Sequence, residues 1–236
     1  MVQVTIVVPV IRPNLGLETF EAIIKHCTFP HLFKAIIHPN LTGLIKWSRS
    51  QGIEVIEDLY IPIARAKKAS VELCDTEYLL LFNSNVRPLN EMKPLLTIME
   101  QHPEIGVCAA GIAEPLLRKR AGSLLTVEDG KVKRAPIPDL MFRDTYQTCD
   151  YVHDAATMYR TEIFNDVMFD TTYASGYAHL DFFMQLKETP WKVASSNEAF
   201  VENVEYTDPV WYHSIRSCGT QLSRERFEQK WGATAW

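Results

Sequence analysis

The chain has 236 residues, 47% hydrophobic and 22% charged, with a formal net charge of −5. That length suits one large domain or a domain with an appended subdomain. No apolar run approaches the ~20 residues of a membrane span, and the acidic balance argues against a general nucleic-acid binder.

The first half alternates two periodicities. Val2 to Val10 is a β-branched run closed by Pro9 and Pro13, and predicts a first strand rather than a signal peptide, because no basic leader precedes it. Leu17, Phe20, Ile23 and Ile24 fall at helical spacing over Leu17 to His26. Phe33 to Ile37 predicts a second strand closed by Pro39-Asn40, Leu41 to Gln51 a second amphipathic helix, and Glu54 to Ile56 a short third strand. A third helix follows over Ile63 to Leu73, a fourth strand over Tyr78 to Phe82, a helix over Met92 to Gln101 and a strand over Val107 to Ile112. Strands alternating with helices of this length imply βαβ units, right-handed crossovers and a mostly parallel sheet.

The second half changes character. Two alternating runs across Ser123 to Pro136 meet at Asp129-Gly130, a strong hairpin signal. Thr161 to Val167 reads as a short helix capped by Thr161, His179 to Lys187 as a longer one, Trp191 to Ser195 as a strand and Ser223 to Trp231 as a surface helix. The cysteines (Cys27, Cys74, Cys108, Cys149, Cys218) are scattered singly with no Cys-x-x-Cys pair, which predicts free thiols in a reducing cytoplasm.

The most informative stretch is Tyr78 to Pro88. A fully apolar run, Tyr78-Leu79-Leu80-Leu81-Phe82, ends on Asn83-Ser84-Asn85, followed by Arg87 and Pro88. Such a run reads as a buried central strand. In a doubly wound sheet the loops after successive strands meet at one edge, the usual ligand crevice. Here those loops are Pro9 to Asn14, with Arg12, then Pro39-Asn40, Asp58 to Arg65, and Asn83 to Pro88. Arg65, Lys67 and Lys68 open the third helix beside that edge, and cations with helix N-terminal amides favour a diphosphate.

The order of these segments resembles the family-2 glycosyltransferases of GT-A fold. Val4 to Val10 is similar to the family's opening strand, and Ile63 to Ala69 to the segment that carries its arginine. Tyr78 to Pro88 is similar to its Asp-x-Asp strand, Pro103 to Val107 to the next turn, and Arg160 to Asp170 to its arginine, short helix and Phe-Asp segment. The resemblance covers roughly residues 2 to 203. It implies an α/β, Rossmann-like, mostly parallel sheet flanked by helices, with an irregular acceptor-side half containing a hairpin. It divides a single domain, 1–236, into a nucleotide-sugar half, 1–113, and an acceptor half, 114–236.

The activity implied is inverting transfer of a sugar from a nucleotide-diphospho-sugar to a glycan, lipid-linked or small hydroxyl acceptor, in the cytoplasm. Donor contacts map to Pro9, Val10, Arg12, Asn40, Arg65, Lys67, Asn83, Ser84, Asn85 and Arg87. His153, Asp154 and His179 map to the acceptor side. Gly176 to Phe183 matches the family's acidic motif and makes Asp181 the expected general base. In the first turn of a helix its carboxylate would be held ionised by the helix dipole.

Both carboxylates of the Asp-x-Asp signature are amides here. Asn83 and Asn85 offer neutral oxygens, and hard divalent ions bind chiefly through carboxylates. The resemblance therefore implies Mn²⁺ or Mg²⁺ held weakly, through Asn85 and His213, or a metal-independent site with Arg65, Lys67, Arg87 or His213 against the diphosphate. A non-catalytic sugar-nucleotide or glycan-binding module is the alternative. The basic residues Arg118, Lys119, Arg120, Lys131, Lys133 and Arg134 leave a nucleic-acid acceptor as a less favoured variant. A nucleotidyltransferase would need a glycine-rich basic loop after the first strand, which Val10 to Leu17 lacks.

Overall fold

The structure, a computed structural model, describes residues 3–10, 16–58, 63–113, 122–137, 144–174, 177–204 and 210–235. The side chains of 136 and 210–218 lie outside that description. In chain order the first elements are β1 (Val4–Val10), α1 (Leu17–His26), β2 (His31–Ile37), α2 (Thr42–Ser50), β3 (Glu54–Glu57) and α3 (Ile63–Glu72). Then come β4 (Tyr78–Phe82), β5 (Val86–Pro88), α4 (Lys93–Gln101) and β6 (Ile105–Ala113). The second half adds β7 (Gly122–Glu128), β8 (Lys131–Pro136), β9 (Tyr146–Cys149), β10 (Tyr151–Val152) and β11 (Ala156–Arg160). It closes with α5 (Tyr177–Lys187), β12 (Lys192–Asn203), α6 (Val210–Trp231) and β13 (Thr234–Ala235).

The main sheet runs β3-β2-β1-β4-β11-β6-β12-β5, with β9 on the side of β12. β1 to β4 are mutually parallel, as their alternation with α1, α2 and α3 requires. Beyond β4 the expected parallel order gives way to a mixed one. β11 lies antiparallel between β4 and β6, because the chain enters it from the carboxyl end of β4, where the Asn83 amide donates to the Ala155 carbonyl at 2.9 Å.

Every residue of β1, β4 and β11 is buried, so these strands read as continuous apolar runs. The period of two still sorts their side chains. Ile6, Val8, Leu80 and Phe82 pack with α1, α2 and α4 on one face. Val7, Leu79 and Leu81 pack with α3, α5 and Phe227 of α6 on the other.

The Asp129-Gly130 turn joins β7 to β8 with φ of 52° and 67°, the left-handed pair that a two-residue hairpin needs. The small sheet is completed by β10 on one side and by β13, parallel to β8, on the other. Two sequence readings are corrected. Thr161 opens a 3-10 turn but caps nothing; its hydroxyl donates to the carbonyls of Thr76 and Glu77. The C-terminal helix is 22 residues long, beginning well before Ser223, and ends at Trp231, followed by Gly232, whose φ of 61° suits a helix C-terminus.

Candidate functional site

Four parallel strands put the carboxyl ends of β1, β2, β3 and β4 along one edge. Pro9 and Val10 are buried and pair with Ile36 and Ile37, so they floor this edge and offer no free side-chain polar group. Asn40 is exposed beyond β2, its backbone amide on the His38 Nδ1 at 3.2 Å. Asp58 arrives from β3 with its amide on the Ile37 carbonyl at 3.1 Å and its side chain exposed. Arg65 is exposed in the first turn of α3 and has no partner among the described residues. Lys68 pairs with Glu72 one turn on, at 3.8 Å, as a solvated helix face does. Arg12 lies outside the described residues.

The amide motif forms the turn between β4 and β5. The Val86 amide donates to the Asn83 carbonyl at 3.3 Å, and the Asn85 carbonyl accepts from Val204 at 2.7 Å. Ser84 turns inward and is buried, with its carbonyl bonded by Thr19. The Asn85 side chain makes no hydrogen bond to a described residue. Arg87 is committed elsewhere: Nε donates to Glu202 at 2.6 Å and Nη1 to Glu18 at 2.9 Å. Two carboxylates already balance its charge, which argues against the expected diphosphate contact.

Directly beneath Asn83 lies a buried polar cluster. Lys67 is 2% exposed, at helical spacing from the buried Ala64 and Ser70. Its ammonium donates to Asp154 Oδ2 at 2.5 Å and to His179 Nδ1 at 3.2 Å, and lies 5.3 Å from the centre of the Phe169 ring. His179 in turn donates from Nε2 to the Val152 carbonyl at 2.7 Å, which fixes its tautomer. Burial, aided by the neighbouring ammonium, pushes the His179 pKa down to about 3, so the ring is neutral at pH 7. For Asp154, burial alone would raise the pKa, but the Lys67 charge overrides it and holds the carboxyl below the usual carboxylate range. Among the described residues the other oxygen, Oδ1, takes only a long 3.4 Å bond from Asn83 Nδ2, and the side chain is 29% exposed.

His179 was expected on the acceptor side; it is instead a buried support for Lys67. His153 is half-buried, its ring edge-on to Tyr151 and its carbonyl bonded by Thr157. The side chain of His213 lies outside the described residues.

Asp181 has a different occupation from the one its motif suggested. α5 begins at Tyr177, so Asp181 stands in the second turn, beyond the reach of the dipole argument. Two residues from His179, it faces the opposite side of the helix. It is fully buried and accepts from Trp231 Nε1 at 2.8 Å, Tyr173 Oη at 3.2 Å and Gln185 Nε2 at 2.6 Å, with Lys230 at 2.7 Å. A carboxylate with both oxygens so engaged has no lone pair left for an acceptor proton. It clasps the end of α6 to α5.

A divalent cation does not fit the described residues of this edge. Asn83 and Asn85 carry no charge, and the single carboxylate hydrogen-bonded to the motif is already neutralised by Lys67. Among the described residues no group of three or more His, Cys, Asp and Glu side chains gathers anywhere.

No protein-family model and no curated protein matches the sequence. Solved structures do. GalNAc-T7 with UDP, GalNAc and Mn²⁺ is similar at a TM-score of 0.71 and 12% identity, over 88% of this chain and 44% of that one. TarS 1-349 from S. aureus, in complex with UDP-GlcNAc, is similar at 0.60 and 13%, over 98% of this chain and 73% of that one. The chain thus spans less than half the length of the GalNAc-T7 chain. The fold is the GT-A fold of glycosyltransferases, with a central sheet flanked by helices.

Proposed function

We propose that the protein is a glycosyltransferase that uses a nucleotide-diphospho-sugar, most simply a UDP-sugar, and transfers the sugar with inversion to a hydroxyl acceptor. The observation that carries this reading is the polar turn Asn83-Ser84-Asn85 at the carboxyl edge of a buried parallel strand, in a GT-A fold whose third helix carries an exposed Arg65 in its first turn. GalNAc-T7 and TarS are solved with UDP and with UDP-GlcNAc respectively, which supports a uridine donor.

The leaving diphosphate is met by Arg65 and the first amides of α3, in place of a metal. Asn40 and Asp58 face the nucleoside. The acceptor is a glycan, a lipid-linked or a small hydroxyl compound, in a single domain whose second half forms the acceptor side. A nucleic-acid acceptor is disfavoured, since Lys133 pairs with Glu128 at 2.6 Å and the Arg134 guanidinium lies over Tyr151 at 5.2 Å. The described cysteines are free, which suits a reducing compartment such as the cytoplasm.

A thermal-shift screen of nucleoside diphosphates and UDP-sugars, with and without Mn²⁺, tests the reading. UDP or a UDP-sugar is expected to raise Tm, and Mn²⁺ to add little. Arg65→Ala is expected to weaken UDP binding by roughly tenfold, the loss of one charge-assisted contact of about 1.5 kcal/mol. Unchanged UDP affinity in that variant would remove Arg65 from the diphosphate site. Firm binding with no turnover of any donor would identify a binding module that has lost catalysis.

A further inference from the structure

We propose that Asp154 takes the proton from the acceptor hydroxyl, with Lys67 and His179 as its positioning residues; this rests on the transferase reading. The assignment follows from the sheet. β11 pairs antiparallel with β4, so the residues just before it reach the edge where β4 ends. Ala155 bonds the Asn83 amide and Asp154 meets the Asn83 side chain. Among the described residues it is the one carboxylate hydrogen-bonded to the donor motif. Glu18 and Glu202 are taken by Arg87, and Asp181 is closed off behind α5.

The two oxygens of Asp154 are unequal. Oδ2 is held by the buried ammonium of Lys67, while Oδ1 has, among the described residues, only a long amide contact, and the side chain as a whole is 29% exposed. Lys67 cannot swing away, being confined by the ring of Phe169 and bonded to a His179 whose own tautomer is fixed by Val152. The result is a carboxylate anchored through one oxygen and with the other bonded only by a long amide contact among the described residues, which meets the geometric requirement of a general base and keeps it ionised.

In the reaction the acceptor O–H gives its proton to Oδ1 as its oxygen bonds to the anomeric carbon. The bond from that carbon to the diphosphate oxygen breaks, and the electron pair leaves with the diphosphate. Asp154 then returns the proton to water. Attack from the side opposite the leaving group inverts the anomeric centre.

Among the described residues the charged and titratable groups around Asp154 are Lys67 from α3, His179 from α5, and His153, Tyr151 and Tyr159 from β10, β11 and the link between them. Lys67 is the cation that holds the carboxyl ionised, so Lys67→Met raises its pKa. The acid limb of the pH–rate profile is then expected to move to higher pH, a shift that loss of fold would not produce in the surviving folded molecules.

The decisive experiment uses the full chain with UDP-GlcNAc and UDP-GalNAc, following slow hydrolysis and, separately, transfer to azide. Azide needs no deprotonation. Asp154→Asn is expected to keep the donor-induced thermal shift and to lose about 10²- to 10⁴-fold in hydrolysis. Asp154→Ala is expected to form the glycosyl azide while failing with water. The retained thermal shift shows that both variants are folded, and the double variant Lys67→Met/Asp154→Asn removes the buried charge should either single variant unfold. Hydrolysis within threefold of wild type in folded Asp154→Asn would overturn the proposal and leave the transferase reading intact. Donor binding without hydrolysis or azide transfer by the wild type would overturn the proposal. Absence of donor binding would overturn both.

Discussion

Lys67→Met is expected to lower the unfolding free energy by about 3 kcal/mol, read as a fall in the urea midpoint at unchanged slope. The methionine fills the space beside Phe169, so the loss is electrostatic and not a cavity. Lys67 is almost fully buried and donates to both Asp154 and His179. Removing it leaves Asp154 charged against the interior with no cation, and leaves His179 Nδ1 without its donor. Taking away one member of a buried pair costs more than the pair itself contributes, because the surviving charge keeps its desolvation cost. Asp154 is 29% exposed, so water relieves part of that cost and the effect falls toward the lower end of the range for buried pairs. Adding Asp154→Asn to Lys67→Met is expected to recover much of the stability. A single variant within 0.5 kcal/mol of wild type would mean that the pair is weaker than its distance implies, roughly the background for a surface substitution.

Asp181→Ala is expected to cost a similar amount, about 3 kcal/mol, and to act on a different part of the molecule. The carboxylate gathers Trp231 and Lys230 from the end of α6, Tyr173 from the preceding loop, and Gln185 from the next turn of α5. Without it the indole N–H and the tyrosine hydroxyl lose their buried acceptor. Lys230 is the one donor with an escape, being 36% exposed and 4.0 Å from Asp170. The end of α6 continues into β13, whose pairing with β8 is the outer seam of the hairpin sheet. The variant is therefore expected to be cut by trypsin near Arg224, Arg226 and Lys230 under conditions where the wild type resists. Equal resistance would contradict the clasp. Turnover abolished in a stable, protease-resistant Asp181→Asn would instead return Asp181 to the chemistry.

These two residues also mark how far the sequence could be read. Most of the parallel half was legible because a period of 3.6 or a continuous apolar run identifies its longer elements, and Tyr78–Phe82 coincides with its predicted strand, whereas the three-residue β5 lies in what reads as a loop. The Asp129-Gly130 turn was legible for a stereochemical reason, since both residues must take positive φ. The mixed half was not. β9, β10 and β13 are two to four residues long and carry no period of their own; their existence depends on partners far away in the chain.

At the site, Asn83, Arg65, Lys67, Asp154 and His179 were all singled out, yet in separate roles. Lys67 looked like one more cation at a helix start. Its spacing from Ala64 and Ser70 places it on the buried face, and a lysine there demands a carboxylate partner. Which carboxylate it meets depends on the antiparallel pairing of β11 with β4, which no local pattern encodes. Asp181 sits elsewhere than its motif implies for the complementary reason. Its motif is acidic and lies near a helix start, but two residues beyond His179 it falls on another face of α5 and is fully buried.

The measurement that bears most directly on the account is amide hydrogen exchange of the full chain with and without UDP, in the absence of metal. New protection is expected in three places: the Asn83 to Val86 turn, the first turn of α3 around Arg65, and the segment from His38 to Asn40. Binding without protection at any of these, or protection confined to the hairpin and the C-terminal helix, would contradict it.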